Sequence, residues 1–177
     1  MVKYGILSDT LINESNNTRA NELIEKLKKI FENADYILHL GNVCTLSFLH
    51  KLEKIAPVRC IKGDIDEIEE LKESIFFSFG PYNINMIHHP PSNLKKYILD
   101  KQIQILIHGH TCIPLIEGTS YNALILNPGS PTVPKAPPQK KGFKKPKPRP
   151  SVMILEINEK NYMLSTFLVN LDEKKSG

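Results

Sequence analysis

The sequence predicts an α/β sandwich of two stacked β-sheets flanked by helices, and three observations support this fold class. Over the first 64 residues, short apolar segments alternate with amphipathic helical segments, which is the pattern of a parallel sheet with right-handed crossovers. Beyond them, paired apolar segments separated by turn residues predict hairpins. A chain of 177 residues is also long enough for one domain, residues 1–177, with a substantial core.

The parallel part is predicted to contain three strands and two helices. The strands lie at residues 2–7, 36–40 and 58–61, and the helices lie at residues 21–31 and 46–55. In the first helix the apolar residues recur at helical spacing: Leu23, Ile24, Leu27, Ile30 and Phe31. Each strand is a short, mostly apolar segment, as expected for a buried strand.

The second half is predicted to contain more strands than helices. Residues 74–79 and 83–87 flank Gly80-Pro81-Tyr82 and predict a hairpin. A short helix at 94–99 is followed by a strand at 103–107. A second hairpin is predicted at 114–117 and 123–126, and a final strand pair at 152–157 and 162–169. These strands supply the second sheet and complete the first.

Composition excludes several classes of protein. Hydrophobic residues make up 41% of the chain and charged residues 24%, which is ordinary for a globular protein and unlike collagen, a coiled coil or a disordered chain. No apolar run reaches the ~20 residues of a membrane helix, and the first four residues do not resemble a signal peptide. Three cysteines without C-x-x-C spacing, Cys44, Cys60 and Cys112, indicate a reducing compartment. We therefore expect a cytoplasmic protein.

The positive charge is concentrated in one Pro/Lys-rich loop, residues 131–150. Seven basic residues and no acidic residue lie between Lys135 and Arg149, and without them the net charge of +4 becomes −3. The loop also holds seven of the thirteen prolines, which favour an extended, solvated conformation. Two interpretations remain open: a docking arm for an acidic partner, an anionic membrane or nucleic acid, and a charged loop that aids solubility. Nucleic acid is the least favoured partner, because Phe143 alone cannot provide base stacking.

Polar residues of metal-binding type follow five of the predicted strands. The strands end at Ser8-Asp9, Gly41-Asn42, Gly63-Asp64, His88-His89 and Gly109-His110. In an open α/β sheet, ligands bind outside the carboxyl ends of the strands. The sequence therefore predicts that these side chains converge on one site.

The same motifs resemble the signature of the calcineurin-like metallophosphoesterases. That signature reads D-x-H, G-D, G-N, an isolated H and G-H-x-H, and it corresponds here to Asp9-Thr10-Leu11, Gly41-Asn42, Gly63-Asp64, His88 and Gly109-His110-Thr111-Cys112. Residues 41–45, 62–67 and 127–130 are most similar to the small phosphodiesterase branch, which includes a subunit of the retromer complex. The resemblance covers residues 2 to about 130. It implies a metallophosphoesterase-type two-sheet sandwich.

The resemblance also implies a divalent metal cofactor, zinc or manganese. The implied ligand positions are Asp9, Asn42, Asp64, His88, His110 and Cys112. Asn42 stands where the family has the aspartate that bridges two cations, and Leu11 stands where it has a ligating histidine. Two cations ~3.5–4 Å apart need an anionic bridge, so we expect at most one ion. The alternative is that these groups only hydrogen-bond to one another. No ligand role is expected for His89, which precedes Pro90-Pro91, or for His108.

Four departures from the signature bear on function: Leu11, Asn42, Ile65 in place of a catalytic histidine, and Cys112 in place of the last histidine. They favour a protein-binding scaffold, similar to the retromer subunit and acting in protein transport, with little or no hydrolase activity and no assigned catalytic residue. The alternative is a metal-dependent phosphodiesterase with a reduced, single-metal site. As a docking arm, the Pro/Lys-rich loop would bind an acidic or anionic partner at Lys135–Arg149.

Overall fold

The computed structural model describes residues 1–13, 15 and 17–172. In chain order, its elements are β1 (Val2–Leu7), α1 (Asn17–Ile30), β2 (Tyr36–His39), α2 (Leu46–Glu53), β3 (Val58–Cys60), β4 (Ser74–Phe79), β5 (Tyr82–Ile87), α3 (Leu94–Asp100), β6 (Ile105–His108), β7 (Leu115–Gly118), β8 (Leu124–Asn127), β9 (Ser151–Ile157) and β10 (Leu164–Asn170). The predicted strands and helices are all present, although α1 begins four residues earlier than the apolar pattern indicates. Its first turn is polar, and only Ala20 of that turn is buried.

The strands form two mixed sheets of five strands each, so the predicted two-sheet α/β sandwich is confirmed. The first sheet has the order β10-β9-β1-β2-β3, and the second has the order β4-β5-β6-β8-β7. Strands β1, β2 and β3 run parallel, with Leu7 opposite His39 and His39 opposite Cys60. Their carboxyl ends therefore lie side by side, immediately before the loops that carry Asp9, Asn42 and Asp64.

Successive side chains of β1 and β2 point alternately into two hydrophobic cores, so both strands are buried on both faces. Ile6 and Leu38 point into a core between the two sheets, where they join residues of the second sheet such as Met86 and Ile107. Leu7 and Ile37 belong to the other core, which they form with the buried faces of α1 and α2. Because a one-residue slip would exchange these two faces, burial fixes the register of the strands and hence the positions of their polar ends.

The second sheet brings its own polar residues to the same region. Strands β5, β6 and β8 are parallel to one another, and antiparallel strands flank them on both sides. The chain continues from β5 into His88 and from β6 into Gly109 and His110. Gly109 N–H donates to the His88 carbonyl at 3.1 Å, which ties the two loops together.

The Pro/Lys-rich loop contains no helix or strand, and most of its side chains are exposed. Its two ends meet at two buried residues, since Ser151 N–H donates to the Ser130 carbonyl at 3.1 Å. No helix within the described residues is both long and apolar enough to cross a membrane.

Residues 135–149 are predicted to be expendable for folding. Replacing them with a Gly/Ser linker of about six residues should change the melting temperature by no more than about 2 °C, because the segment buries little apolar surface and a shorter loop costs less closure entropy. Differential scanning calorimetry of the full chain and the replacement variant measures this. A fall of many degrees would show that the loop packs as part of the core.

Candidate metal centre

Three loops at the carboxyl ends of the strands share an unusual backbone conformation. Each holds two residues in the left-handed region, spaced two apart, with φ between 50° and 70°: Asp9 and Leu11, Asn42 and Cys44, His110 and Cys112. Asn, Asp and His tolerate this region, whereas a leucine there is strained. The Leu11 backbone is held in place because its N–H donates to the Asn42 carbonyl at 3.0 Å. The loops thus keep a conformation in which alternate side chains could converge, although Leu11 has no ligand atom.

The buried Asp66 carboxylate fastens two of these loops. It accepts hydrogen bonds from the backbone N–H groups of Asn42 at 2.7 Å, Cys44 at 2.7 Å and Gly63 at 2.8 Å. Close approach of the loops requires a glycine at position 63, since a Cβ there would lie 2.2 Å from the Asn42 nitrogen. This role of Asp66 could not be inferred from the sequence pattern. The only feature that indicated it was an acidic residue two positions after Asp64.

The Asn42 side chain connects the two sheets. Its Oδ1 accepts the Ile65 N–H at 3.2 Å, which fixes the orientation of the amide, because only the oxygen can accept. Its Nδ2 then donates to Asp9 Oδ1 at 2.9 Å and faces His88 Nε2 at 3.2 Å. His88 Nδ1 lies 2.6 Å from the Leu40 carbonyl and must donate to it, so in the neutral ring Nε2 carries no proton and accepts from Asn42.

The Asp9 carboxylate is buried and its hydrogen bonds come from neutral donors. Oδ2 accepts the Ser8 hydroxyl at 2.6 Å and the His110 N–H at 3.0 Å, and Oδ1 accepts the Asn42 amide. These three bonds satisfy the carboxylate within the protein. The Asn42 amide therefore lies between Asp9 and His88, which are two of the implied metal ligands.

A second group of side chains lies at the mouth of the site. Asp64, His88, His89 and His110 each place one potential ligand atom within 4.8 Å of the others. Asp64 Oδ1 lies 2.5 Å from His89 Nε2, and Asp64 Oδ2 lies 3.0 Å from His110 Nδ1 and 3.5 Å from His88 Nε2. Hydrogen bonding to His89, and more weakly to His110, lowers the pKa of the Asp64 carboxyl. Three imidazoles and one carboxylate form a donor set that suits zinc.

The implied ligand positions are thus divided between two arrangements. Asp64, His88 and His110 belong to the four-residue group, whereas Asp9 and Asn42 form the adjoining buried network. His88 belongs to both. Whether any of these residues binds a metal remains a prediction.

Cys112 lies outside the four-residue group. Its thiol donates to the His110 carbonyl at 3.6 Å, and burial raises its pKa to about 11. The thiol is therefore protonated at neutral pH, whereas thiolate is the form that binds metals. Its role as a ligand also remains a prediction.

His89 is the member of the group that the sequence analysis did not anticipate. Its ring centroid lies 3.8 Å from that of His110, and its Nε2 contacts Asp64. His88 and His89 lie in a bend directly after β5, before Pro90.

Two further histidines are buried beneath the site as neutral residues. His39 Nδ1 accepts the Gly41 N–H at 3.2 Å and Nε2 contacts the Thr10 hydroxyl at 3.0 Å, while burial lowers its pKa to about 4. Burial also lowers the pKa of His108, whose Nδ1 lies 3.0 Å from the Gly109 carbonyl. Both rings therefore contact polar groups of the loops that carry the site.

Comparison with known proteins shows the family. The model of the calcineurin-like phosphoesterase superfamily domain matches residues 2–160. A probable metallophosphoesterase of Methanothermobacter thermautotrophicus is 33% identical over 162 residues, which cover 87% of this chain and 85% of the relative. The resemblance inferred from the motifs is therefore confirmed.

Solved structures share the fold. Vps29 of Entamoeba histolytica complexed with Zn²⁺ has a TM-score of 0.65 at 22% identity, covering 97% of this chain and 100% of the Vps29 chain. An archaeal phosphodiesterase has a TM-score of 0.63 at 19% identity, covering 95% of this chain and 100% of the other. At these identities the likeness shows the two-sheet architecture alone.

The Asp66 contacts predict a large effect of Asp66→Asn on stability. Three backbone N–H groups would lose part or all of a charged acceptor, and hydrogen bonds to charged groups contribute about 1.5–3 kcal/mol each. The free energy of unfolding, measured by urea denaturation with EDTA present, should fall by about 3 kcal/mol. Asp64→Asn is the matched control and should cost less than about 1 kcal/mol, because the Asp64 carboxylate is exposed. Equal losses in the two variants would contradict the account of Asp66.

Proposed function

The chain belongs to the calcineurin-like phosphoesterase superfamily, and from this premise we propose that it is a protein-binding scaffold that holds one divalent metal ion and has little or no hydrolase activity. The observation that carries the proposal is the Asn42 amide, which donates to Asp9 and faces the unprotonated nitrogen of His88. In a two-metal site, an anionic side chain would have to stand at that position.

Electrostatics disfavour a second ion. Two unit charges 4 Å apart interact by about 4 kcal/mol at an effective dielectric constant near 20, and the product of the charges of two dications is four times larger. Asn42 supplies no charge to offset this repulsion. An ion beside Asp9 would also displace the Asn42 hydrogen bond, and Leu11 offers no ligand atom there.

One ion fits the residues that are present. Asp64, His89 and His110 would hold it together with His88, whose Nε2 would exchange the Asn42 hydrogen bond for the ion, and this donor set suits zinc better than manganese. When bound, such an ion supplies positive charge that can polarise a phosphoryl oxygen or lower the pKa of a coordinated water. Structural zinc sites use four protein ligands, whereas catalytic sites use three and keep one position open. With His89 the count is four, which supports a structural site.

Two features support a role in binding a protein. Ile65, which replaces a catalytic histidine, exposes 56% of its surface beside the site, so an apolar side chain stands where proton transfer would need a polar one. The motifs shared with the retromer subunit also support a protein partner in an assembly of that kind. We place this role in the cytoplasm, since Cys44, Cys60 and Cys112 are free thiols.

A metal-dependent phosphodiesterase with a single-metal site is the second candidate function. The four-residue group at the mouth of the site favours it, because Asp64, His89 and His110 are partly exposed and a small diester could reach them. The name of the curated relative, a probable metallophosphoesterase, points in the same direction. The rate of hydrolysis distinguishes the two functions.

Hydrolysis of bis(p-nitrophenyl) phosphate with zinc or manganese is predicted to be far slower than ~1 per second, the low end of ordinary enzyme rates. Leu11→His, Asn42→Asp and Cys112→His introduced together should raise the rate at least ~100-fold, since they restore an anionic bridge and two imidazoles at the first metal position. Histidine tolerates the left-handed backbone at positions 11 and 112. Leu11→His alone should have little effect.

The matched control adds Asp9→Asn to the triple variant and should abolish the gain, because the restored position depends on that carboxylate. Turnover of ~1–1,000 per second by the unmodified protein would refute the scaffold and establish the phosphodiesterase.

A further inference from the structure

The Pro/Lys-rich loop carries a charged turn that the proposed function does not use. We name residues 139–145 the basic turn: it contains Lys140, Lys141, Lys144 and Lys145 around Gly142 and Phe143. All four lysines are exposed, and none forms an ion pair with a described acidic residue. Four uncompensated positive charges therefore lie within six consecutive residues.

The turn holds its aromatic side chain in solvent. Phe143 N–H donates to the Lys140 carbonyl at 3.1 Å, and the Gln139 side-chain amide donates to the Phe143 carbonyl at 3.0 Å. Gly142 has a φ of +87°, the left-handed conformation that such a turn needs. Phe143 exposes 71% of its surface. An apolar ring is thus displayed between two pairs of lysines.

The two ends of the Pro/Lys-rich loop are anchored to the rest of the chain by hydrogen bonds. Lys135 N–H donates to the Cys112 carbonyl at 3.0 Å, and the Thr132 hydroxyl lies 2.8 Å from the Thr10 carbonyl. At the other end, Leu171 N–H donates to the Pro150 carbonyl at 2.8 Å. Prolines between these anchors and the turn disfavour helix and strand. The domain therefore fixes the two ends and leaves the basic turn on the outside.

We propose that the basic turn docks the protein on an anionic phospholipid surface, with the lysines at the headgroups and Phe143 at the boundary of the acyl chains. Clusters of four to eight basic residues held near a membrane surface bind acidic lipids, and Phe side chains insert at the boundary between headgroups and acyl chains. A nucleic acid would satisfy the charge, but single-strand binding uses several stacking aromatics, and the loop has one. An acidic protein would satisfy the charge and would need a pocket for the ring. A lipid surface matches both the charge and the exposed ring.

Sedimentation of the full chain with vesicles tests this proposal at about 0.1 M salt. The chain should bind vesicles of phosphatidylcholine with about one third phosphatidylserine, and binding to pure phosphatidylcholine should be at least ~100-fold weaker. Each basic residue near such a surface contributes about fivefold in affinity. Lys140→Gln, Lys141→Gln, Lys144→Gln and Lys145→Gln together should therefore weaken binding at least ~100-fold, and Phe143→Ser should weaken it several-fold.

The matched control removes four exposed lysines elsewhere: Lys29→Gln, Lys54→Gln, Lys95→Gln and Lys160→Gln. It has the same net charge as the loop variant and should retain most of the binding. Melting temperatures near that of the unmodified chain show that the variants are folded. The proposal is overturned if the unmodified chain does not bind the anionic vesicles, or if the control loses as much binding as the loop variant. Tight binding to a single-stranded oligonucleotide without vesicle binding would replace it with a nucleic-acid site.

Discussion

The Asn42 amide lies between a buried carboxylate and a buried imidazole, and the organisation of the site depends on the hydrogen bonds that the amide forms with them. Asp9 needs a donor and the Nε2 atom of His88 needs a donor, because its other ring nitrogen is committed to the Leu40 carbonyl. A metal ion would satisfy both groups by coordination, and the two N–H bonds of an amide satisfy them by hydrogen bonding. The buried part of the site is therefore complete without a cation.

The loops around the amide are held together by hydrogen bonds to backbone groups. Asp66 holds the loops after β2 and β3 through three backbone N–H groups, and two bonds from the loop after β1 hold it to the carbonyls of Gly41 and Asn42. Apart from the Asp66 carboxylate, only main-chain groups take part in these contacts, so the contacts do not depend on the side chains at positions 9, 11, 42 and 44. Leu11 can thus occupy a left-handed position that suits other residues better. The main-chain contacts around Leu11 are in place, whereas Leu11 and Asn42 differ from the residues that the family signature has at their positions.

Much of the fold could be predicted from the sequence, because burial imposes a pattern on it. The short, mostly apolar segments of β1 and β2 indicated buried strands, and the polar residues after them marked the edge where the candidate site lies. Contacts between side chains could not be predicted in the same way. The sequence did not show that Asn42 would join Asp9 to His88, or that His89 would contact Asp64, because both depend on how two separate sheets face each other. Asp66 escaped notice because a carboxylate bound to backbone N–H groups leaves no periodic pattern.

Counting the ions that the folded chain binds tests the central claim most directly. Native mass spectrometry of the full chain, first freed of metal and then titrated with zinc, measures this number independently of any activity. A His50→Gln control removes an exposed histidine outside the site that could bind zinc adventitiously. The account predicts one zinc ion per chain, lost on His89→Ala combined with Asp64→Ala and unaffected by His50→Gln. Two ions per chain, both retained in the His50→Gln variant, would contradict it.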